Sequence, residues 1–236
     1  IVNLIILSMV GAGVVKMENA LAIMLGSNLG TTLDSWLVAA VGFNLTIETW
    51  ALPAAAITGI CMTLLNKEKK LFLWLKFLFS LAFLFIALGF IKTGMEDWVK
   101  QTDLSSFTKY PVLIFLFLGI FLTAIIQSSS ATIALTLSAL YSNAITLYIA
   151  TAIVLGSEIG TTFKLFLASV KGLPAKKRVA LGNFLFNAIT VSIIFLLLRP
   201  VNKLLTDVLY IKDNLIALVF FQTFVNLCSI ILFFPF

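Results

Sequence analysis

Long apolar runs broken by short polar insertions dominate this chain. Residues 71–91 and 179–198 are apolar all round, rich in Leu, Ile and Phe, with no alternation of polar and apolar positions. Runs of this kind match helices of about 20 residues that cross a bilayer. The missing period of two excludes the strands of an outer-membrane barrel. A second kind of segment interrupts its apolar run with Gly, Ser and Thr: residues 18–41 around 26–32, and residues 145–170 around 156–162. A third, residues 111–142, is too long for one plain crossing and carries Gln127, Ser128, Ser129 and Ser130 at its middle.

These segments are related. Laid over itself with an offset of 130 residues, the chain gives a gapless match. Leu7, Ser8, Ala20, Ile23, Leu25, Gly26, Ser27, Gly30, Thr31, Thr32, Leu37 and Gly42 recur as Leu137, Ser138, Ala150, Ile153, Leu155, Gly156, Ser157, Gly160, Thr161, Thr162, Leu167 and Gly172. Chance similarity between greasy segments aligns Leu with Ile; it does not align two Gly, a Ser and two Thr in register. Matching Gly-interrupted hydrophobic segments are a signature of secondary transporters, whose duplicated halves cross the membrane in opposite senses. Unwound backbone costs several kcal/mol per unpaired group in lipid, so it is expected only where it lines a polar cavity.

Composition fixes the class. Of 236 residues 61% are hydrophobic and 11% charged, more apolar surface than a soluble domain of this length can hide. The formal charge of +6 does not point to nucleic acid, because the basic residues cluster between apolar runs, at 67–70 and 171–178. The positive-inside rule places such clusters on the cytoplasmic side. Residues 71–91 then run outward and 92–110 lie outside. Parity next requires 111–142 to be a re-entrant hairpin with Gln127–Ser130 at its tip, and 145–170 an inward crossing broken at 156–162. By the same logic 1–13 is the second leg of an earlier hairpin, 18–41 crosses outward with a break at 26–32, and 49–65 returns. Arg199 and Lys203 end up outside, against the charge rule.

The expected fold is therefore an all-α integral membrane protein of inverted structural repeats, each with a re-entrant hairpin, a broken transmembrane helix and further spans. Residues 1–110 form the first repeat, lacking the first leg of its hairpin, and 111–236 the second, cut at its C-terminal end. The chain opens on Ile1 and stops inside the apolar run 230–236, and it is expected to be a piece of a longer protein.

Chemistry concentrates at the breaks. Gln127 offers two donors and a carbonyl, and Ser128, Ser129 and Ser130 each a donor and an acceptor. Backbone N–H groups at the start of the following half-helix add donors and a positive dipole end, which suits an oxyanion. Serine oxygens and unwound carbonyls also suit Na+. Hydrogen bonding between packed helices is the competing use of small polar residues in membranes. Glu158 stands where Asn28 stands in the first copy, and Lys164 where Asp34 stands. Charges at such depth are functional candidates by default. For Glu158, cation binding competes with a merely structural role. Asp34 and Lys164 are candidates to pair across the repeat axis.

Gln-Ser-Ser-Ser-Ala-Thr at 127–132, followed by Gly-Ser-Glu-Ile-Gly-Thr-Thr at 156–162, resembles the sodium/phosphate cotransporter family. That family carries a Gln-Ser-Ser-Ser hairpin and a Gly-x-x-x-Gly-Thr helix break in each half, and the resemblance spans nearly the whole chain. It implies that Gln127, Ser128, Ser129, Ser130, Ser157, Thr161 and Thr162, with Ser27, Asn28, Thr31 and Thr32 from the first half, build phosphate and Na+ sites near the midplane. By the 130-residue offset Ile1 pairs with Ala131, so the first Gln-Ser-Ser-Ser is expected just before Ile1.

The function expected is a secondary carrier that couples Na+ entry to inorganic phosphate transport by alternating access, in the cytoplasmic (inner) membrane of a bacterium. No Arg lies in the motif region, so hydroxyls, backbone dipoles and Na+ must neutralise the anion. Na+ is the coupling ion and no other cofactor is expected. Alternatives are a carrier or exporter of another anion, or a non-transporting membrane anchor for a regulatory domain. An enzyme is not expected: there is no His, no Cys nucleophile near a base and no carboxylate cluster for a metal. Cys61 and Cys228 read as buried small apolar residues. Trp50, Trp74 and Trp98 read as interfacial anchors, residues 96–106 as a surface linker or short amphipathic helix, and Asn183 and Asn187 as interhelical hydrogen-bonding groups.

Overall fold

The computed structural model describes residues 2–43, 47–65, 67, 70–101 and 110–234. Among the described residues every regular element is helical: α1 (Val2–Gly11), α2 (Met17–Leu37), α3 (Ile47–Leu64), α4 (Lys70–Gln101), α5 (Val112–Ile126), α6 (Ser129–Tyr141), α7 (Leu147–Gly160), α8 (Thr162–Ser169), α9 (Pro174–Leu196), α10 (Leu198–Lys203) and α11 (Asn214–Phe233). Short π-helical turns extend α2 over Val38–Gly42 and α10 over Leu204–Val208.

Local chemistry sets several helix starts. Ser128 caps α6 by accepting from the Ala131 N–H at 3.3 Å, and Thr146 caps α7 through the Ile149 N–H at 3.4 Å. Asp213 caps α11, accepting from Leu215 N at 2.8 Å and Ile216 N at 3.4 Å. Each replaces a partner that the first turn of a helix lacks. Between α5 and α6 the chain turns at Gln127, held at φ 56° in the left-handed region, with its N–H bonded to the Thr123 carbonyl at 2.7 Å.

Four stretches are long and apolar enough to cross a membrane: Lys70–Asp97, Leu147–Ser169, Pro174–Leu196 and Asn214–Phe233. They differ in what covers them. The first is 17% buried and shows Leu73, Trp74, Phe77, Phe83 and Phe90 to the outside, whereas Leu147–Ser169 is 72% buried and forms the centre of the bundle. A band of exposed large apolar side chains is what lipid covers and water does not. The protein is a membrane protein. α2 spans 21 residues but is too polar to join that group, because Ser27, Asn28, Thr31 and Asp34 share its length.

Packing sets helix directions. Gly119 of α5 lies against the Ile153 carbonyl, Gly156 of α7 against the Leu116 carbonyl, and Gly160 against Thr123. From Gly119 with Ile153, through Thr123 with Gly160, to Gln127 with Lys164 the numbers rise together, so α5 and α7 run parallel at close range, as small residues permit between membrane helices. The chain reverses along α6 between them, and a buried bond from Thr123 Oγ1 to Thr132 Oγ1 at 2.9 Å ties the α5 and α6 legs at their turn. α2 begins with Leu21 against Gly182 of α9, near where α8 places Phe166 on Phe184. It finishes at Phe43 against Tyr141, close to the start of α7.

The 130-residue offset reappears in the backbone. Gly13 (φ 72°) and Asn143 (φ 57°) both turn left-handed. Gly13 N bonds Val10 O and Asn143 N bonds Leu140 O, each at 3.1 Å. Val14 N to Met9 O at 3.0 Å is matched by Ala144 N to Ala139 O at 2.8 Å.

Three expectations need correcting. The helix breaks are absent or minimal. α2 runs unbroken through 26–32, and in the second copy only Thr161 interrupts, itself in right-handed helical conformation at φ −60°, ψ −27°. A glycine inside a helix costs only about 1 kcal/mol, less than the backbone bonds an unwinding would leave unpaired. The threonines also turn inward on the helix: Thr31, Thr32, Thr161 and Thr162 donate to the carbonyls of Asn28, Leu29, Glu158 and Ile159, each at 2.7 Å. Second, the segment expected as a surface linker or short amphipathic helix is helical as far as it is described, but as the end of α4, which runs on through Lys92 to Gln101; residues 102–109 lie outside the described residues. Third, Asn187 Nδ2 donates to the Asn183 carbonyl of its own helix at 2.9 Å rather than to a neighbour. Cys61 and Cys228 are free and half-buried rather than buried. Trp50 and Trp74 are exposed.

Candidate functional site

A polar cavity of about 410 Å³ lies where both copies meet. α1 contributes Asn3, α2 contributes Ser27, Asn28, Thr31 and Asp34, the α5–α6 turn contributes Ser128, Ser129 and Ser130, and α7–α8 contribute Glu158, Thr161 and Lys164. α6 begins at its wall, where Ser129 and Ser130 line it, and α1 reaches it with Val2 and Asn3. The first-turn N–H groups of α6 have no partners within the helix and carry the positive end of the dipole.

Side chains from the two copies lock together around this space. Ser130 Oγ donates to Asp34 Oδ2 at 3.1 Å, joining α6 to α2. Lys164 Nζ donates to the Gln127 carbonyl at 3.0 Å, joining α8 to the hairpin turn. The left-handed turn at Gln127 is what aims that carbonyl away from the α5 ladder. Asp34 and Lys164 therefore each hold the α5–α6 hairpin, and no ion pair between them is among the described contacts. On formal charge the wall carries two carboxylates, Asp34 and Glu158, against one ammonium, Lys164.

Of the residues singled out in the sequence, Ser27, Asn28, Thr31, Ser128, Ser129, Ser130, Glu158 and Thr161 line this one cavity. Ser157, Thr162 and Thr32 stand behind it, buried, with hydroxyls closed on their own helices; Ser157 Oγ donates to the Val154 carbonyl at 2.7 Å. Gln127 is exposed and outside the lining, and it meets Lys164 through its backbone carbonyl. Sequence reasoning missed Asn3, whose Oδ1 is buried without a hydrogen-bond partner, and a polar stripe on α11. There Asn226 Nδ2 donates to Glu158 Oε1 at 3.2 Å. The signal was present: Gln222, Asn226 and Ser229 at i, i+4 and i+7 share one face of an otherwise apolar helix.

The family model described as Na+/Pi-cotransporter matches residues 1–93 and 99–221, nearly the whole chain. The chain belongs to the Na+/Pi-cotransporter family. This is a family of transporters, not of enzymes. Among curated relatives, the uncharacterized protein YqeW of Bacillus subtilis (strain 168) is 29% identical over 199 residues, covering 80% of this chain and 61% of that protein. The "Putative inorganic phosphate export protein YjbB" of Salmonella typhimurium is 25% identical over 238 residues, covering 99% of this chain and 42% of its own length. Its namesake in Escherichia coli (strain K12) is 24% identical with the same coverage. The chain thus spans about two fifths to three fifths of the length of these relatives. No solved structure matches it. Within the Na+/Pi-cotransporter family, the serines of the α5–α6 turn and the Thr-Thr of α7–α8 are the residues that carried the resemblance from sequence alone.

Proposed function

We propose that this chain forms the membrane part of a secondary carrier that moves inorganic phosphate together with Na+ by alternating access. The observation that carries the reading is the polar cavity bounded by both copies, with the N-terminus of α6 at its wall. That end supplies N–H donors suited to an oxyanion, beside the ammonium of Lys164. At about 410 Å³ the space exceeds ten times the roughly 30 Å³ share of one water molecule, enough for a hydrated oxyanion.

Charge explains the cation. The cavity wall sums to one net negative formal charge from Asp34, Glu158 and Lys164, and a phosphate mono- or dianion entering alone would be repelled. In a low-dielectric wall that repulsion is strong. One Na+ bound beforehand cancels that charge and a second reverses it, which makes obligatory coupling a consequence of the lining rather than an addition to it.

The architecture we infer is a pair of inverted repeats, each entered by a re-entrant hairpin. α5 has 15 residues, roughly 22 Å of helix against a hydrocarbon core of about 30 Å, so it falls short of crossing. α1 leads from the cavity to Gly11 beside Lys176, whereas α6 leads from the cavity to Tyr141 beside Phe43. α2 begins near where α8 ends and finishes near where α7 begins. These opposed directions support inversion, and with it a multi-pass protein of the bacterial cytoplasmic membrane.

The direction of net flux is a separate matter, because a carrier of this kind runs down whichever combined gradient is larger. The name of the YjbB relatives favours export as the second reading. Radiolabelled phosphate flux in proteoliposomes tests both, with imposed Na+ gradients of either sense and K+ as control. Na+-driven flux that Ser129→Ala and Thr161→Val lower at least tenfold is expected. Folded protein that moves no phosphate under any Na+ gradient would sink the assignment.

A further inference from the structure

Behind the cavity lies the polar stripe of α11, none of whose residues line it. Gln222, Asn226 and Ser229 are all buried, and Gln222 is wholly enclosed. The stripe meets α7 at Glu158, which is 4% exposed. Asn226 Nδ2 donates to Glu158 Oε1 at 3.2 Å and to the Gln222 carbonyl at 3.1 Å, which fixes its orientation. Gln222 stands beside the same carboxylate, with its amide N–H within reach, and its Oε1 is buried without a hydrogen-bond partner. Lys164, the ammonium that lines the same cavity, is engaged with the Gln127 carbonyl.

Two costs are thus concentrated at one place: a buried carboxylate with no ion pair among the described contacts, and a buried amide oxygen without a partner. A purely structural contact between α7 and α11 would be better served by an apolar side chain of similar volume. A hard cation removes both costs, because a carboxylate and an amide oxygen are the ligands such an ion takes. Among the described residues no group of three His, Cys, Asp or Glu could hold a metal ion, and a single carboxylate suits a single positive charge. We propose that Na+ binds between the Glu158 carboxylate and the Gln222 amide oxygen, with Asn226 as the positioning residue and water of the polar cavity completing the shell. This rests on the Na+-coupled reading above and names where one coupling ion sits. Placed there, the ion neutralises Glu158 at the cavity wall and so prepares that wall for the anion.

The test separates this site from the wider reading. Thermal unfolding of the purified protein in detergent is followed without phosphate, in choline chloride exchanged at constant ionic strength for NaCl or KCl. Wild type is expected to gain stability saturably with Na+ and less with K+. Gln222→Leu is expected to melt higher than wild type without Na+, since a buried amide oxygen without a partner is gone, and to need at least tenfold more Na+ for the same gain. A merely structural glutamine would give the opposite first result. Gln222→Met, equally long and without oxygen, repeats the measurement where the leucine variant does not fold. Glu158→Gln is expected to abolish the Na+ response. A Gln222 variant with the wild-type Na+ midpoint overturns the site, and so does a wild-type response equal in Na+, K+ and choline. Phosphate flux in proteoliposomes distinguishes the two failures. Na+-driven flux with unchanged Na+ half-saturation in Gln222→Leu removes this site and leaves the coupling. Flux that ignores Na+, follows a pH gradient and disappears in Glu158→Gln removes both, with the carboxylate then carrying a proton.

Discussion

Lys164 and Asp34 face the same cavity with opposite charge, so replacing each should move phosphate affinity in opposite directions. Lys164→Gln removes the one ammonium of the wall and its bond to the Gln127 carbonyl. Charge-assisted hydrogen bonds contribute roughly 1.5–3 kcal/mol, and each 1.4 kcal/mol is about a factor of ten in affinity. We therefore expect the KM for phosphate to rise at least tenfold. Asp34→Asn keeps an acceptor for Ser130 Oγ, which now sits 3.1 Å from Oδ2, while deleting a negative charge. Its phosphate KM should fall, while the Na+ concentration needed for half-maximal flux should rise, because a carboxylate that attracts the cation is gone. Flux assays at varied phosphate and Na+ measure both. Parallel shifts in the two variants would mean that the residues act through hairpin position and not through charge. A third residue carries a backbone prediction. Gly13 sits at φ 72° with nothing within 4 Å of an added Cβ, so Gly13→Val meets strain but no clash. Stability should drop by about 1–2 kcal/mol, read as a lowered Tm, while Gly13→Asn, the residue its counterpart Asn143 already uses, should lose less.

At the scale of elements, the two copies predict opposite outcomes for equivalent glycines. Gly156 and Gly160 form the groove of α7 that receives α5: a Cβ at Gly156 would run into the Leu116 carbonyl, and one at Gly160 would stand 2.6 Å from Thr123 Cβ. Backbone cannot step aside, so Gly156→Ala should destabilise by about 3 kcal/mol, the upper end for overpacking. Gly26 and Gly30, 130 residues earlier, have nothing within 4 Å. There alanine should be neutral or stabilise by up to about 1 kcal/mol through helix propensity alone. Thermal melts of the four alanine variants check this. A large loss at Gly26 would mean that a further segment packs on α2 as α5 packs on α7. The same pair of helices shows what the sequence could and could not reveal. The register of the repeat and the hairpin around Gln127 are legible, because Gly, Ser and Thr seldom recur in register within apolar runs unless the runs are copies. The continuity of the helices is not legible, since Gly-Thr-Thr reports close packing and carbonyl-bonded hydroxyls as readily as unwinding. The α11 stripe is hard to see because three polar residues spread over two turns do not disturb a run as four in a row do. Gln127 draws notice for its side chain, whereas its left-handed backbone is what engages Lys164, and a sequence does not show φ.

At the scale of the whole molecule, the inverted arrangement proposed above makes a prediction about which surface each turn faces. The turn after α1 lies at the end of the bundle marked by Gly11 against Lys176, where the basic cluster 171–178 gathers. Lys70 begins α4 at that end too, since α4 reaches Phe43 and Tyr141 only at Lys92, some six turns later. By the positive-inside rule this end is expected to be cytoplasmic. The equivalent turn after α6, at Asn143, lies at the other end with Tyr141 and Phe43. Val14 and Asn143 are both exposed, so Val14→Cys and Asn143→Cys, each in a background of Cys61→Ala and Cys228→Ala, report on the two ends independently. In intact cells a membrane-impermeant maleimide should label Asn143→Cys and spare Val14→Cys, which becomes reactive only once the membrane is opened. Labelling of both from outside would remove the inversion, and with it the argument that α1 and α6 approach the anion from opposite faces. Labelling of Val14→Cys alone would keep the inversion but reverse the protein in the membrane. The charge rule would then have failed here, and the cavity's access would have to be reassigned between cytoplasm and exterior before any flux direction is interpreted.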